Sequence, residues 1–192
     1  MELRGEVAVV TGGFGQRICH ALAREGVHIA VVYARSRDQA EGVARELADR
    51  HQIQATAPPC DLEDPEAAEV LVAEVIARFG RLDISVNDAA YNIAIPFQDL
   101  ETLTDAVWEK VMAVNLTGPI RLTRAAAPVM KSQDAARVVN IASVAGLGPT
   151  GSPIPYSVSR ELIHLTRYMA VAMAPDALVN CVAPSLVERR PC

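Results

Sequence analysis

The sequence lacks any apolar run of the roughly eighteen residues that a membrane-spanning helix requires. Its N-terminus leads directly into a predicted strand, without the apolar core or cleavage site of a signal peptide. It also lacks a long basic block, since 18 Lys and Arg residues stand against 23 Asp and Glu and leave a net charge of −5. We therefore expect no membrane segment and no nucleic-acid partner.

Cysteine is scarce and scattered. The four cysteines form no CxxC pair and have no metal-like spacing to the four histidines, so we expect no metal site. They are Cys19, Cys60, Cys181 and Cys192. We interpret them as small buried residues or tail residues, in a protein of the reducing cytoplasm.

What the chain does contain is an alternation of strand and helix signals, without internal repeats or low-complexity linkers. Its 192 residues, 51% of them apolar, suit one domain over 1–192 with a sizeable core. The predicted strands are 6–10, 27–33, 54–59, 82–86, 136–143 and 177–183. Because near-continuous apolar strands are typical of parallel sheets covered on both faces, the pattern predicts an α/β, doubly wound parallel sheet.

Capping signals and periodicity place helices between these strands. Ser36 and Gln39 have the spacing of a capping box, and Asp64 is the predicted N-cap of the third helix. A long helix over 104–131 is expected to kink near its first proline, and a further helix covers 156–174. The buried stripe predicted for the third helix consists of Val70, Leu71, Val75, Ile76 and Phe79.

Ligands of such sheets bind at the carboxyl ends of the strands, so the segments after each strand are the candidate site. The first of these carries three glycines in four positions, Gly12, Gly13 and Gly15. Glycines at a helix N-terminus let backbone amides approach a pyrophosphate. A tight turn that needs positive φ would use glycine as well, and the glycines alone leave both interpretations open.

The segment after the second strand carries Arg35 and Ser36 where NAD-selective folds tend to place an acidic residue. A guanidinium there can pair with a 2′-phosphate, which favours NADP(H) over NAD(H). The alternative is an ordinary solvated helix start.

The second half of the chain offers candidate acid–base residues. Ser143 ends the fifth predicted strand, Tyr156 follows thirteen residues later, and Arg160 lies four residues beyond it on the same helical face. A tyrosine serves as an acid–base group near neutral pH when a neighbouring cation lowers its pKa, and Arg160 is placed to do so. A serine hydroxyl can hold the substrate oxygen.

These features resemble the short-chain dehydrogenase/reductase family, over essentially the whole chain. The matching stretches are "VVTGG", "YARSRD", "CDLED", "VNDAA", "VNLTG", "VNIASVAG", "YSVSR" and "VNCVAPSLV". The chain is most similar to bacterial reductases of the 3-oxoacyl-carrier-protein reductase type. The resemblance implies a Rossmann-like sheet with helices on both faces, which here lacks the last strand and helix of the family beyond Cys192.

The resemblance also implies residue roles. Tyr156 would transfer the proton with Arg160 beside it, Ser143 would orient the substrate oxygen, and Asn115 would support a water relay. Asn115 has an alternative role in satisfying backbone groups at a helix kink. The implied cofactor-binding residues are Thr11, Gly12, Gly13, Gly15, Arg35, Ser36, Asp61, Leu62, Asn87, Ala89, Tyr156, Arg160 and Pro184.

Departures from the family pattern cluster in the same cleft. The segment from Thr11 to Ile18 is three residues short and carries the bulky Phe14. Asp88 occupies an asparagine position, and the family's YxxxK is YxxxR at Arg160, an exchange that is not conservative. This clustering indicates relaxed or altered cofactor binding.

Three functions remain open at this point. The first is an NADP(H)-dependent oxidoreductase that interconverts a small-molecule ketone and a secondary alcohol. The second is a non-catalytic binding or scaffold protein of the same fold, and the third is a nucleotide-free lyase similar to halohydrin dehalogenases, which use Ser-Tyr-Arg. A homodimer is expected rather than a tetramer, although the apolar residues Leu162, Leu165 and Met169 could equally pack inward.

Overall fold

The computed structural model describes residues 3–12, 15–133, 135–149 and 152–185. Its centre is a six-stranded parallel sheet with strand order β3-β2-β1-β4-β5-β6. The strands are β1 Val7–Thr11, β2 His28–Val32, β3 Ala55–Thr56, β4 Ile84–Asn87, β5 Ala136–Ile141 and β6 Ala177–Val182. This order, which runs outward in both directions from β1, confirms the predicted doubly wound sheet.

Helices cover both faces of the sheet. They are α1 Gly15–Arg24, α2 Arg37–His51, α3 Ala67–Phe79, α4 Asp105–Met112, α5 Gly118–Met130, α6 Ile154–Ser159 and α7 Leu162–Met173. A π-helical turn, Ala113–Thr117, joins α4 to α5, and a 3₁₀ turn, Val144–Gly146, follows β5. Within the described ranges, no helix is long and apolar enough to cross a membrane.

Two apolar cores form because every residue of β1 is buried and successive side chains point to opposite faces. Val7 and Val9 pack with α3, α5 and α7, while Ala8 and Val10 pack with α1 and α2. In α7, Leu162 and Met169 are buried and Leu165 packs against the first core. Of the two alternatives for these residues, the structure contains the inward one.

The helix start predicted at Ser36 is confirmed in position, since Ser36 directly precedes α2, but its capping hydrogen bond is absent; the start predicted at Asp64 is wrong. The Ser36 side chain makes no capping hydrogen bond, because its backbone (φ −95°, ψ 60°) lies outside the extended region that capping residues usually adopt. Asp64 does not cap α3, which begins at Ala67; its carboxylate instead accepts a hydrogen bond from the Glu66 N–H at 2.9 Å. Asp64 therefore closes a turn just before the helix.

The predicted buried stripe of α3 contains one error. Val70 is 63% exposed, and Val72 is buried in its place. The buried positions of α3 are Ala68, Leu71, Val72 and Val75. They follow the three- and four-residue spacing of one helix face, and position 70 falls outside that face.

The long helix over 104–131 has the predicted irregularity, in the form of the π-helical turn immediately before Pro119. A proline has no N–H to donate to the carbonyl four residues earlier, and its ring crowds that carbonyl. The extra residue of the π turn accommodates both effects. The irregularity expected near Pro119 is thus present as a π turn.

The single helix predicted over 156–174 is wrong, because the structure ends α6 at Ser159 and begins α7 at Leu162. Arg160 lies at this break and its backbone is in close contact with Gly146. A Cβ atom on Gly146 would lie only 2.6 Å from the Arg160 carbonyl oxygen. The segment after β5 therefore occupies space beside Arg160, and helical periodicity alone contains no sign of this contact.

Candidate active site

A cavity of about 380 Å³ lies at the carboxyl ends of β1 to β4. Most of its wall comes from four segments that follow or end neighbouring strands, 11–12, 31–36, 60–63 and 89–91, and the rest comes from α1, α2 and the π turn. The segments after β1 to β4 were predicted to line the site, but the described residues of the segments after β5 and β6, predicted as well, do not line this cavity. The cavity therefore lies at the edge of the sheet where open α/β folds bind ligands.

Thr11 and Gly12 hold the end of β1 against the segment after β4. The Thr11 hydroxyl accepts hydrogen bonds from the N–H groups of Asp88 and Ala89, each at 3.1 Å, and donates to the Val86 carbonyl. Gly12 has φ +94°, and a Cβ atom there would lie 2.3 Å from the Ala89 nitrogen. Only glycine fits this position, which also lines the cavity.

Helix α1 begins at Gly15, whose N–H donates to the Gly12 carbonyl at 3.2 Å. Gly15 is buried, and a Cβ atom there would lie 3.2 Å from Cγ1 of Val10. Gly13 and Phe14 lie outside the described residues. The predicted approach of this turn to a pyrophosphate therefore stays a prediction.

Arg35 and Ser36 both line the cavity. The Arg35 side chain is 74% exposed, and its Nη2 lies 3.8 Å from Oε1 of Glu63. Glu63 Oε1 also lies 3.1 Å from Nζ of Lys110. Neither Glu63 nor Lys110 was a predicted site residue, because the acid and its two cations lie far apart along the chain.

Asp61 and Leu62 line the same cavity from the segment after β3. Leu62 is buried, and Asp61 Oδ1 accepts a hydrogen bond from the Glu63 N–H at 3.0 Å. The Arg121 guanidinium donates from α5 to the carbonyls of Leu62 and Glu63, both at 3.2 Å. Arg121, which the sequence analysis missed, thus holds this wall in place.

Asn87 does not line the cavity. It is buried, and its Nδ2 donates to Oδ1 of Asn140 at 2.7 Å across the β4–β5 pair. Asn140 in turn donates to the Thr166 hydroxyl at 2.9 Å, which donates to the Leu162 carbonyl at 2.7 Å. The signal in the sequence was Asn140 itself, a polar residue in an apolar strand, which requires a partner when buried.

Asn115 lies in the π turn with no exposed surface. Its Oδ1 accepts from the Tyr91 N–H at 2.7 Å, and its Nδ2 donates to the Tyr91 carbonyl and to the Ser159 hydroxyl, each at 2.9 Å. Ser159 donates to the Tyr156 carbonyl at 2.7 Å. Asn115 therefore joins the segment after β4 to the helix that carries Tyr156.

Ser143 lies at the start of the 3₁₀ turn after β5, in extended backbone geometry, and its Oγ accepts from the Ala145 N–H at 3.2 Å. This bond leaves the hydroxyl hydrogen available to another acceptor. The Pro184 carbonyl accepts from the neighbouring Val144 N–H at 3.1 Å. Ser143 and Pro184 thus belong to adjacent segments at the ends of β5 and β6.

Tyr156 is partly exposed on α6, and Arg160 is almost completely buried beside it, at 1% exposure. The guanidinium carbon lies 4.5 Å from the centroid of the Tyr156 ring, and Nη1 donates to the Ile141 carbonyl at 3.1 Å. Nε and Nη2 have no hydrogen-bond partner within the described ranges. Burial lowers the pKa of the Arg160 guanidinium, and Tyr156 partly offsets this effect.

The described part of the chain contains no group of three His, Cys, Asp or Glu side chains that could hold a metal ion. Cys19 and Cys60 are buried with free thiols, and the free thiol of Cys181 is partly buried. Cys192 lies outside the described residues.

The family model for short chain dehydrogenase matches residues 6–190. The chain belongs to the short-chain dehydrogenase family. It is 38% identical to ketoacyl reductase 2 of the granaticin polyketide synthase of Streptomyces violaceoruber, over 95% of this chain and 73% of that protein. It is 32% identical to dehydrogenase/reductase SDR family member 4 of Homo sapiens, over 97% of this chain and 67% of that protein.

Solved structures agree with this assignment. A dehydrogenase/reductase from Sinorhizobium meliloti 1021 superposes with a TM-score of 0.88 at 33% identity, over 96% of this chain and 73% of that one. The predicted family, the Rossmann-like fold and the oxidoreductase class are confirmed. Members of this family use NAD(P) as cofactor and act on small molecules.

Proposed function

We propose that this short-chain dehydrogenase is an NADP(H)-dependent enzyme that interconverts a ketone and a secondary alcohol, with Tyr156 as the proton donor and acceptor. The observation that carries the proposal is the cavity that extends from the Gly12 turn to Arg35 and Ser36. A nucleotide-free lyase would have no use for a cationic subsite at the end of β2.

The residues present fit the adenosine end of the coenzyme. The cavity volume of about 380 Å³ lies within the range of small-ligand pockets. Apolar side chains such as Val32 and Leu62 can contact a base, and Asp61 can accept hydrogen bonds from it. Arg35 supplies the charge that a 2′-phosphate requires.

When bound, the nicotinamide coenzyme donates or accepts the hydride. In the reduction, the Tyr156 hydroxyl gives its proton to the carbonyl oxygen as that oxygen becomes the alcohol, and in the oxidation it takes the proton back. The Arg160 cation, 4.5 Å from the ring centroid, stabilises the phenolate left after transfer. Ser143 donates its free hydroxyl hydrogen to the same substrate oxygen.

The test combines coenzyme titration with a Tyr156→Phe variant. We expect NADPH to raise the melting temperature, since a ligand at a hundred times its Kd adds about 2.7 kcal/mol of stability. Tyr156→Phe should lower the turnover of small ketones by roughly 10²- to 10⁴-fold, with NADPH affinity changed less than about twofold. Tyr168→Phe, at a residue that is 65% exposed on α7, is the matched control.

The alternatives have their own outcomes in this test. A wild-type protein that neither NADPH nor NADH stabilises would contradict the proposal and favour a non-catalytic family member. Halide release from a vicinal haloalcohol without added nucleotide would instead favour the lyase.

A further inference from the structure

Glu63 lies between two cations at the adenosine end of the cavity. Its Oε1 is 3.1 Å from Nζ of Lys110 on α4 and 3.8 Å from Nη2 of Arg35 after β2. Arg35 and Glu63 both line the cavity. The cation on which the NADP(H) preference depends is therefore already next to a carboxylate of the protein.

The backbone of Glu63 is held more firmly than its side chain. Its N–H donates to Asp61, and its carbonyl accepts from Arg121. The Glu63 side chain remains 36% exposed and that of Lys110 31% exposed. The backbone of Glu63 is thus held near Arg35, while its partly exposed carboxylate can exchange ion-pair partners.

Lys110 is fixed by a further contact. Its Nζ lies 4.9 Å from the centroid of the Tyr91 ring, and Asn115 holds the Tyr91 backbone. The shorter of the two Glu63 distances is the one to Lys110. This geometry draws the carboxylate toward α4 and leaves the Arg35 contact long.

The contact between Glu63 and Arg35 is weak enough for an incoming phosphate to displace it. Exposed ion pairs are worth only about 0.2–1 kcal/mol, so an incoming group can displace the Glu63 contact with Arg35. A phosphate carries more negative charge than a carboxylate and binds a guanidinium through two parallel hydrogen bonds. A 2′-phosphate at Arg35 would therefore compete with Glu63 and be repelled by it, whereas a 2′-hydroxyl would feel little of either effect.

We propose that Glu63 is a specificity-determining residue that weakens the binding of NADP(H) relative to NAD(H), and that Lys110 is a positioning residue that limits this effect by holding Glu63 away from Arg35. The inference rests on the proposed function, since it concerns the coenzyme of that same site. Glu63 therefore lowers the affinity for NADP(H), and Lys110 raises it.

The test measures the affinities of NADPH and NADH by fluorescence titration, and those of 2′,5′-ADP and ADP by calorimetry. Glu63→Gln should tighten NADPH and 2′,5′-ADP by roughly two- to fivefold, the factor that corresponds to an exposed ion pair. NADH and ADP should change less than about twofold. Glu66→Gln removes the same charge from an exposed residue that does not line the cavity, and it should change no affinity.

Lys110→Met tests the positioning role. It should weaken NADPH and 2′,5′-ADP by roughly two- to fivefold, because Glu63 would then pair with Arg35 alone. In a Glu63→Gln background the same change should have no effect, since the two residues act through one contact. An equal loss in both backgrounds would mean that Lys110 attracts the phosphate directly, and would overturn its positioning role.

The remaining outcomes separate the two proposals. If Glu63→Gln, shown to be folded by circular dichroism, leaves the ratio of NADPH to NADH affinity unchanged, the role of Glu63 is overturned while the proposed function stands. If the wild-type protein binds none of the four nucleotides, both are overturned.

Discussion

The guanidinium of Arg160 lies over the face of the Tyr156 ring, with 4.5 Å between the guanidinium carbon and the ring centroid. A cation over an aromatic face is attracted to the ring itself, in addition to any interaction with the hydroxyl. Arg160 is also held by the Ile141 carbonyl at the end of β5. Arg160 is therefore held beside Tyr156 by a contact with the sheet as well as by its position four residues later in the chain.

Replacement of Arg160 by Met should lower turnover strongly while it changes the free energy of unfolding little. Folding lowers the pKa of this guanidinium through burial, so the folded state disfavours the charged form and gains little from it. We expect the free energy of unfolding, measured by urea denaturation, to change by about 1 kcal/mol or less. Turnover should fall, because the phenolate of Tyr156 loses its neighbouring cation.

Arg167→Met is the control for this change, since Arg167 is an exposed arginine on α7 and should affect neither quantity. A loss of stability of about 3 kcal/mol or more in Arg160→Met would instead indicate that the cation belongs to a buried ion pair.

Replacement of Gly12 by Ala should destabilise the protein by roughly 2 kcal/mol or more. The new Cβ atom would lie 2.3 Å from the Ala89 nitrogen, at a φ of +94° that side chains rarely adopt. Gly42→Ala is the matched control, because Gly42 lies inside α2 with open space around it and should gain about 0.5–1 kcal/mol. Urea denaturation of both variants measures the difference, and equal effects would contradict the close approach.

Replacement of Asn115 by Leu should cost roughly 2–4 kcal/mol of stability, since it leaves the N–H and the carbonyl of Tyr91 without their partner. Hydrogen exchange at the Tyr91 amide should accelerate with it. Ser159→Ala removes one hydrogen bond to Asn115 and the one to the Tyr156 carbonyl, which keeps the Arg160 N–H as a donor, and should cost less. If Asn115→Leu kept full stability and lost only turnover, the hydrogen bonds to Tyr91 would not contribute to the stability of the fold.

The stability of the protein should fall at alkaline pH, with a contribution from Cys19. Burial, with a smaller effect of Asp88, raises the pKa of the Cys19 thiol from 9.0 to about 12. A raised pKa gives stability that is complete below pH 9 and is lost as the pH rises through 12, because the unfolded chain releases this proton first. The decline of unfolding free energy between these values should be shallower in Cys19→Ala than in wild type.

Cys181→Ala provides the comparison, since Cys181 is only partly buried. Identical slopes in the Cys19 variant and in wild type would show that other groups account for the whole alkaline loss.

The sequence predicts most of the segments that line the cavity, because a parallel sheet brings the ends of its strands to one edge. It placed Arg35, Asp61 and Ala89 on segments that do line the cavity. It did not find the contacts of Glu63 with Arg35 and Lys110, and it did not foresee that the Asn87 side chain bonds to Asn140. Such pairings depend on which side chains meet across different elements, and no local pattern encodes them.

By itself, the sequence determined the alternation of strands and helices, which face of each helix is apolar and which residue types stand at the strand ends. These are local properties, set by side-chain periodicity over a few residues. Only the tertiary structure decided where the helix breaks at Arg160, which hydrogen-bond partners Asn115 has and which cation Glu63 approaches more closely. Those outcomes depend on packing between residues distant in the chain, where steric exclusion and the pairing of buried polar groups outweigh local preference.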